Sequence, residues 1–321
     1  MAPLWDSFVD RCRQGCFLFR RGFMDYHADR FEDCSLVAYD GGRAVALLPA
    51  SIAGVRVSSH GGLTFGGWLT DMSRPQAADL LTLTGMAVEF YKSLGVSELL
   101  YKPVPWIYPS IPADDDRYAM FRLGASPEAC SLSSAIDCRL VSDGFSDDTE
   151  DDIANMLAHK LFDANACRNR AKALRSGVTI SRSDDFKGYW ELLTEVLTAR
   201  HGVRPVHSVG EIELLRSRFP DNIRLYTAQD ADGRLLAGTV IFRSRHVAHA
   251  QYIASSSAGR QAGALPALFA QVIAREAYGM RYFDFGISCE QGGRILNQGL
   301  LRQKEGFGGR SVVYESYLLK F

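Results

Sequence analysis

Two histidines in the second half of the chain, His207 and His249, are the residue type best suited to moving protons near neutral pH. An imidazole has an unperturbed pKa near 6.5, so it exchanges a proton under ordinary cellular conditions. His207 precedes a helix predicted over residues 208–218, where Ser208 and Glu211 have the spacing of a capping box. His207 is therefore either a proton acceptor or a packing residue ahead of that helix.

His249 lies in a strand predicted over residues 247–254. Strict alternation of side chains places His249 and Gln251 on one face of this strand and Tyr252 on the other. Two polar side chains on one face of an otherwise apolar strand need hydrogen-bond partners, because leaving each unpaired costs about 1–3 kcal/mol. A polar cleft meets that need, and so does a core position at which the histidine is satisfied.

A run of small residues over 255–263 separates this strand from a predicted helix that reaches residue 278. Its candidate ligand-binding residues are Ser255, Gly259, Arg260 and Gly263. Backbone N–H groups and the positive end of the helix dipole favour a phosphate at such a helix start. The segment is thus predicted to bind a pyrophosphate, and the alternative is a surface turn that only reverses the chain.

Four other residues are candidates for ligand contacts, each with a structural alternative. His60 lies among glycines that leave space for a ligand or that form tight turns. Asp284 ends a predicted strand, where α/β sheets commonly present binding groups. Lys304 ends a predicted helix, where a cation stabilises either an oxyanion or the helix dipole. Arg170 belongs to a basic stripe on one predicted helix, with Arg168, Lys172 and Arg175, that either contacts an anion or is simply solvated.

The elements that must position these residues predict a mixed α/β protein in two parts. An acidic stretch over residues 141–152 is predicted to be a linker between one domain over residues 1–140 and a second over residues 153–321. The first part has predicted strands over residues 34–39, 44–50 and 97–102 and a helix over 76–94. The second has predicted helices over residues 151–175, 185–199, 208–218, 263–278 and 294–304, and strands over residues 178–183, 223–228, 235–242, 247–254, 281–285 and 312–317.

Composition excludes several classes of protein. The 321 residues suggest two domains, at about 100–200 residues each. A formal net charge of −1 gives no general attraction to DNA or RNA. No apolar run approaches the roughly 18–20 residues of a membrane-spanning helix, and the N-terminus lacks signal-peptide order, so we expect a cytoplasmic protein. Seven cysteines without a CxxC pair predict no disulfide framework and no metal site.

The order of a strand, a turn with Arg260 and Gly263, a helix and a further strand resembles the acyl-CoA-binding core of the GNAT acyltransferase superfamily. At the position where that loop usually has a final Gly or Ala, this chain has Leu265. Residues 168–173, 282–286 and 304–309 are similar to tandem-GNAT proteins of the FemABX type. A subgroup met near bacterial surface-polysaccharide genes shares residues 17–27, 59–67, 205–208 and 249–252.

The resemblance implies two tandem GNAT-like domains and an enzyme that moves an acyl group from acyl-CoA to a primary amine, plausibly of an amino sugar or a nucleotide-linked sugar. Such a site must deprotonate an ammonium group and stabilise an oxyanion. The expected catalytic residues are His207, His249, Lys304 and Tyr252, the last as proton donor to the departing thiolate. Acyl-CoA is expected at Ser255, Gly259, Arg260 and Gly263, and the acceptor at Asp25, His60, Gln251, Asp284 and Arg170.

Two other functions remain open at this stage. FemABX relatives use aminoacyl-tRNA, so an aminoacyl-tRNA-dependent transferase that forms an amide on a peptide or a small-molecule amine is the first alternative. The second is a GNAT-fold module that binds a ligand without catalysis. Loss of turnover on substitution of His207, His249 or Lys304 distinguishes an enzyme from such a module.

Overall fold

A computed structural model describes residues 2–140 and 149–321. Its helices are α1 (Ala2–Arg11), α2 (Arg21–Met24), α3 (Ala77–Ser93), α4 (Asp115–Arg122), α5 (Glu150–Leu161), α6 (Ala164–Arg175), α7 (Phe186–His201), α8 (Val209–Arg218), α9 (Ser257–Ala262), α10 (Ala264–Glu276) and α11 (Gln298–Gly306). Its strands are β1 (Glu32–Asp33), β2 (Leu36–Asp40), β3 (Arg43–Leu48), β4 (Ser51–Ala53), β5 (Arg56–Ser58), β6 (Leu69–Thr70), β7 (Glu98–Tyr101), β8 (Ser126–Asp137), β9 (Thr179–Ser183), β10 (Ile223–Gln229), β11 (Leu235–Arg243), β12 (Val247–Ser255), β13 (Tyr282–Ile287), β14 (Cys289–Glu290), β15 (Ile295–Leu296) and β16 (Arg310–Lys320).

The chain divides into two compact units that are not simple halves of the sequence. Unit 1 comprises Met1–Leu132, Cys289–Leu296 and Val312–Phe321, and unit 2 comprises Ser133–Ser288 and Asn297–Ser311. This division differs from the predicted boundaries at residues 140 and 153. Residues 141–148 of the predicted linker lie outside the described residues. The remainder of that segment includes Thr149, which caps α5, and the first turn of the helix.

Unit 1 contains strands in the order β1-β4-β5-β7-β16 and a separate sheet in the order β2-β3-β6. Strands β5 and β7 are parallel, and β16 pairs with β7 in antiparallel register. The apolar core of this unit includes the rings of Trp68, Tyr91 and Tyr101. Tyr91 comes from α3, which begins and ends within one residue of the predicted helix over 76–94.

Unit 2 contains the strand order β8-β13-β12-β11-β10-β9, in which only β12 and β13 run parallel. Helix α10 packs against one face of this sheet and is buried over most of its length, as expected for a helix that is apolar on all sides. Helix α8 begins with the predicted capping box, since Ser208 and Glu211 each bond the other's backbone N–H. The mixed α/β prediction is therefore confirmed.

Three predicted elements differ from the structure. The single helix predicted over residues 151–175 is two helices, because Phe162 has extended backbone angles and Asp163 caps the start of α6. The turn predicted over residues 255–263 is mainly the short helix α9, which Ser256 caps. The helix predicted over residues 294–304 begins at Gln298, after β15. Within the described ranges, no helix is long and apolar enough to cross a membrane.

Candidate active site

The parallel strands β12 and β13 of unit 2 pair over only three residues. Their register runs from Val247 opposite Tyr282 to His249 opposite Asp284, and the pairing stops there. The pairing of β13 with β8 is also irregular just after Asp284. Parallel strands that separate at their carboxyl ends leave a crevice, which is where α/β sheets usually bind ligands. His249 and Asp284 stand at the point of separation.

His249 belongs to a chain of three hydrogen-bonded side chains. Its Nδ1 lies 2.8 Å from Oδ2 of Asp284, and the Ser133 hydroxyl donates to Oδ1 of the same carboxylate at 2.6 Å. The Gly286 N–H also donates to Oδ1, at 3.0 Å. The Asp284 side chain is fully buried, whereas that of His249 is 13% exposed. Asp284 thus fixes the orientation of the imidazole and leaves Nε2 as the nitrogen for proton exchange.

Gly286 allows this histidine to lie close to the backbone of β13. A Cβ atom on Gly286 would stand 3.2 Å from Cε1 of His249, and the residue has a φ of +77°. Lys304 of α11 is 4% exposed and donates from Nζ to the carbonyl oxygens of Gly286 and Ile287, at 2.8 and 2.7 Å. The predicted residues His249, Asp284 and Lys304 therefore meet at one place, around Gly286.

A β-bulge corrects the predicted direction of Tyr252. Ala250 lies opposite Ile241, and Tyr252 lies opposite Val240, so Gln251 has no partner residue on β11. The extra residue breaks the alternation, and Tyr252 therefore points to the same side of the sheet as His249. Ala250 belongs to the core cluster with α10, whereas the Tyr252 ring packs on Trp190 of α7.

Tyr252 and His207 form a second polar pair in unit 2. The Tyr252 hydroxyl lies 2.5 Å from Nδ1 of His207, and both side chains are buried. Nε1 of Trp190 donates to the His207 carbonyl at 2.9 Å, which holds the segment ahead of α8 in place. His207 is therefore a packing residue and the partner of a hydroxyl group, while its role as a proton acceptor stays a prediction.

The four predicted phosphate-binding residues line one cavity of about 440 Å³, which we name cleft A. Its lining residues are Asp163, Asn165, Ala166, Asn169, Ser255, Gly259, Arg260, Gly263, Ala264, Leu265, Pro266, Gly299, Arg302, Gln303, Gly306 and Phe307. They come from α6, the α9–α10 junction and α11. Of these, Arg260 and Arg302 are cationic, and they supply the donors that an anion requires.

Two of the four glycines that line cleft A, Gly259 and Gly263, are required by packing. A Cβ atom on Gly259 would lie 2.1 Å from the Leu236 carbonyl oxygen, and one on Gly263 would lie 2.3 Å from that of Asn169. Gly263 also has a φ of +77°, which few other residues adopt. The Gly259 N–H bonds the Ser256 side chain rather than facing an anion. Arginine side chains are therefore the principal candidates for phosphate contacts.

A second cavity of about 460 Å³, cleft B, adjoins cleft A and shares residues with it. Its lining residues are Val196, Arg200, Ile253, Ala254, Ser255, Arg260, Leu265, Asn297, Gly299, Leu300 and Gln303. Sequence reasoning missed Arg200 and Arg302. Neither lies in a recognisable motif, and only the packing of α7 and α11 brings them near Arg260.

The remaining predicted site residues do not line either cleft. Arg170 is next in sequence to Asn169 of α6, which lines cleft A. His60 of unit 1 is 2% exposed and stacks on His27 with ring centroids 5.3 Å apart. Asp25 of unit 1 pairs with Arg21. Arg170 donates to Asn155 at 2.6 Å, and Gln251 occupies the bulge.

Burial changes the acidity of the unit 1 histidine and its lysine neighbour. Desolvation, with a smaller contribution from His27, lowers the pKa of His60 to about 4. Desolvation also lowers the pKa of Lys102 to about 8, and its Nζ donates to the His60 carbonyl at 2.8 Å. In the part of the chain that the structure describes, no group of three or more His, Cys, Asp or Glu residues is placed to hold a metal ion.

Comparisons with known proteins agree with this geometry. Residues 162–292 match the family model described as the acetyltransferase (GNAT) domain. The crystal structure of FemX has a TM-score of 0.68 and 13% identity, and the match covers 100% of this chain and 96% of FemX. The C-terminal domain of a putative lysylphosphatidylglycerol synthetase from Agrobacterium fabrum has a TM-score of 0.61 and 12% identity, with 99% and 91% covered.

A tandem GNAT protein from the clavulanic acid biosynthesis pathway is also similar, with a TM-score of 0.53, 13% identity, and 99% of this chain and 94% of that chain covered. No curated protein matches the sequence significantly. At these identities the similar structures establish the fold. The family model covers the segment that contains Arg260, the arginine that lines both clefts. Residues 162–292 therefore match the acetyltransferase (GNAT) domain, and the fold of the chain is similar to that of FemX.

Proposed function

We propose that the protein is an N-acyltransferase that moves an acyl group from acyl-CoA to a primary amine. The observation that carries this proposal is the position of cleft A at one end of β12, with His249 farther back on the same strand. Six residues separate Ser255 from His249, which is about 20 Å along a strand. With the diphosphate bound in cleft A, an extended pantetheine arm would reach the point at which β12 and β13 separate.

Arg260 and Arg302 would hold the diphosphate of acyl-CoA, which supplies an activated thioester when bound. His249 takes the proton from the attacking ammonium group at Nε2. Asp284, buried and bonded to Nδ1, stabilises the imidazolium that results. The amine nitrogen then bonds to the acyl carbon, the carbon–sulfur bond breaks to release the thiolate, and the nitrogen gives its second proton to solvent water.

The departing thiolate needs a proton, and the Tyr252 hydroxyl is the proposed donor. Its bond to Nδ1 of His207 gives the tyrosine a route for regaining that proton. Lys304 is assigned a positioning role, because its ammonium holds the Gly286 and Ile287 carbonyls beside His249. We place the reaction in the cytoplasm, where acyl-CoA is made, and we expect the acceptor amine to belong to an amino sugar or a nucleotide-linked sugar.

An aminoacyl-tRNA donor is the second candidate. The observation that favours it is the basic character of α6, which borders cleft A and carries Arg168, Arg170, Lys172 and Arg175. Phosphate groups of RNA are recognised by such surfaces. Both donors present a carbonyl to the same amine chemistry, so His249 and Asp284 keep their roles under either proposal.

Incubation of the protein with labelled acetyl-CoA, or separately with charged tRNA, and a panel of amino sugars and peptides tests the proposal. We expect amide product from acetyl-CoA and a higher KM for acetyl-CoA in Arg302→Gln. Product from charged tRNA alone would replace the donor. If His207→Ala, His249→Ala and Lys304→Ala all fold and bind acetyl-CoA without any loss of turnover, the assignment of the catalytic site is wrong.

A further inference from the structure

Ser133 of β8 is a fully buried serine whose hydroxyl reaches the carboxylate beside His249. Its Oγ donates to Oδ1 of Asp284 at 2.6 Å. We propose that Ser133 is a positioning residue of the acyl transfer: its hydroxyl holds Asp284 as an oriented, ionised carboxylate, and Asp284 in turn sets the tautomer of His249. The inference rests on the proposed acyl transfer, and it adds to that reaction a residue that no motif of the sequence indicates.

The two oxygens of the Asp284 carboxylate have different partners. Oδ1 accepts from the Ser133 hydroxyl at 2.6 Å and from the Gly286 N–H at 3.0 Å, whereas Oδ2 lies 2.8 Å from Nδ1 of His249. The Asp284 side chain is fully buried, and a buried carboxylate keeps its charge only where hydrogen-bond donors replace water. Two donors at Oδ1 therefore favour the ionised form, whose Oδ2 can only accept.

The charge on Asp284 decides which nitrogen of His249 carries the hydrogen. An ionised carboxylate has no proton to give, so the hydrogen of the neutral imidazole lies on Nδ1 and the lone pair lies on Nε2. Nε2 is the atom that takes the proton in the proposed reaction. A protonated Asp284 would instead donate to Nδ1, and the hydrogen on Nε2 would then prevent the imidazole from accepting a proton from the amine.

The pairing of β8 with β13 places the serine beside this carboxylate. Asp284 lies opposite Ala135 and Ile287 lies opposite Ser133, so β13 has one residue more than β8 in this interval. Ser134 lies between the two β8 positions, and alternation directs its side chain to the other face of the sheet. Ser134 is fully buried, and its hydroxyl has no hydrogen-bond partner among the described residues. It therefore provides a matched control of the same residue type and burial.

NMR of the histidine side chains in isotope-labelled protein tests the inference without turnover. Comparison with His249→Gln assigns the imidazole signals of His249. We expect neutral His249 of the wild type to carry its hydrogen on Nδ1. In Ser133→Ala the share of the Nε2–H form should rise by about tenfold, because the charged carboxylate loses its shorter hydrogen bond. Ser134→Ala should match the wild type. The Nε2–H form as the main tautomer of the wild type, or an unchanged tautomer in Ser133→Ala, would overturn the inference.

Steady-state kinetics with acetyl-CoA and an amine acceptor gives the functional readout. We expect Ser133→Ala to lower kcat by about tenfold or more, as is typical when a partner that orients a functional histidine is lost. The KM for acetyl-CoA should stay within about twofold, because Ser133 lines neither cleft. Ser134→Ala should change neither value, and circular dichroism checks folding.

The two measurements separate this inference from the proposed reaction. Equal losses of kcat in Ser133→Ala and Ser134→Ala would contradict the positioning role, since only Ser133 contacts Asp284. The expected tautomers in a protein that transfers no acetyl group would remove the proposed function and leave the role of Ser133 in orienting Asp284 in place.

Discussion

Unit 1 contains a half-buried lysine and unit 2 a buried one, and each donates to two backbone carbonyls beside a histidine. Lys102 of unit 1 bonds the carbonyls of His60 and Leu63, and Lys304 of unit 2 bonds those of Gly286 and Ile287. The histidines differ in their partners. His60 stacks on another histidine, whereas His249 is bonded to a carboxylate.

This difference determines what each histidine can do. Desolvation lowers the pKa of His60 to about 4, so it is neutral at physiological pH and its ring is hidden from solvent. His249 is partly exposed, and the hydrogen bond between its Nδ1 and Asp284 orients the ring. The same lysine contact therefore stabilises a packed loop in unit 1 and the proposed proton-transfer site in unit 2.

The strongest test of this comparison exchanges the histidines one at a time. We expect His249→Gln to lower kcat by at least about 100-fold, because general acid–base catalysis typically contributes 10²–10⁴-fold. The matched change in unit 1, His60→Gln, should leave kcat of the folded enzyme within about twofold. Steady-state assays with labelled acetyl-CoA measure both, and circular dichroism checks folding. Equal losses of activity in the two variants would contradict the contrast between the units.

The second test follows the stability of the protein as the pH falls. Unfolded histidine has a pKa of about 6.5, and folded His60 has a pKa of about 4, so the unfolded chain binds the additional proton between these values. The contribution of His60 to stability is complete above pH 6.5 and decreases by about 3 kcal/mol as the pH falls to 4.

Urea unfolding of wild type and His60→Gln at pH 7 and pH 4.5 measures this contribution. We expect the loss of unfolding free energy on acidification to be smaller in the variant. Asp116 acts in the opposite direction, because burial raises its pKa to about 6, but it is present in both proteins and its effect cancels in the comparison. The same loss in wild type and variant would show that His60 is not buried as a neutral ring.

The smallest expected effects come from the two lysines. Lys102→Met and Lys304→Met each leave two carbonyls without a donor, and each should lower the unfolding free energy by about 1–3 kcal/mol. Only Lys304→Met should also lower kcat/KM, because its carbonyl partners adjoin His249. Thermal unfolding and initial rates separate the two effects. Lys92→Met is the control, since exposed Lys92 makes only surface contacts among the described residues, with Glu89 and over the Phe321 ring, and should change stability by less than about 0.5 kcal/mol. Unchanged kinetics in Lys304→Met would argue against its positioning role.

Local sequence signals predicted much of the framework. The capping box of α8, the extent of α3 and the strands of unit 2 depend on neighbouring residues and on periodicity, which the sequence displays directly. The segment after β12 was also placed correctly at a cavity, although it is helical and its glycines meet packing requirements. The small residues indicated that other atoms pack closely against this segment, but they did not indicate that those atoms are backbone carbonyls of the protein.

The details of the site depend on contacts between distant positions. Ser133 bonds Asp284 from 151 positions away, and nothing local to either residue indicates that contact. The direction of Tyr252 depends on a single unpaired residue, Gln251, because one additional residue reverses the alternation of a strand. The end of α5 at Leu161 depends on the capping of α6 by Asp163, a signal that a continuous helical pattern conceals.

Strand β16 has a consequence for how the protein folds during synthesis. Residues Tyr317 to Lys320 complete the ladder beside β7, where Tyr317 lies opposite Tyr101. A ribosome has already made all of unit 2 before this strand emerges. The N-terminal portion of the nascent chain therefore has an open sheet edge at β7 until β16 emerges.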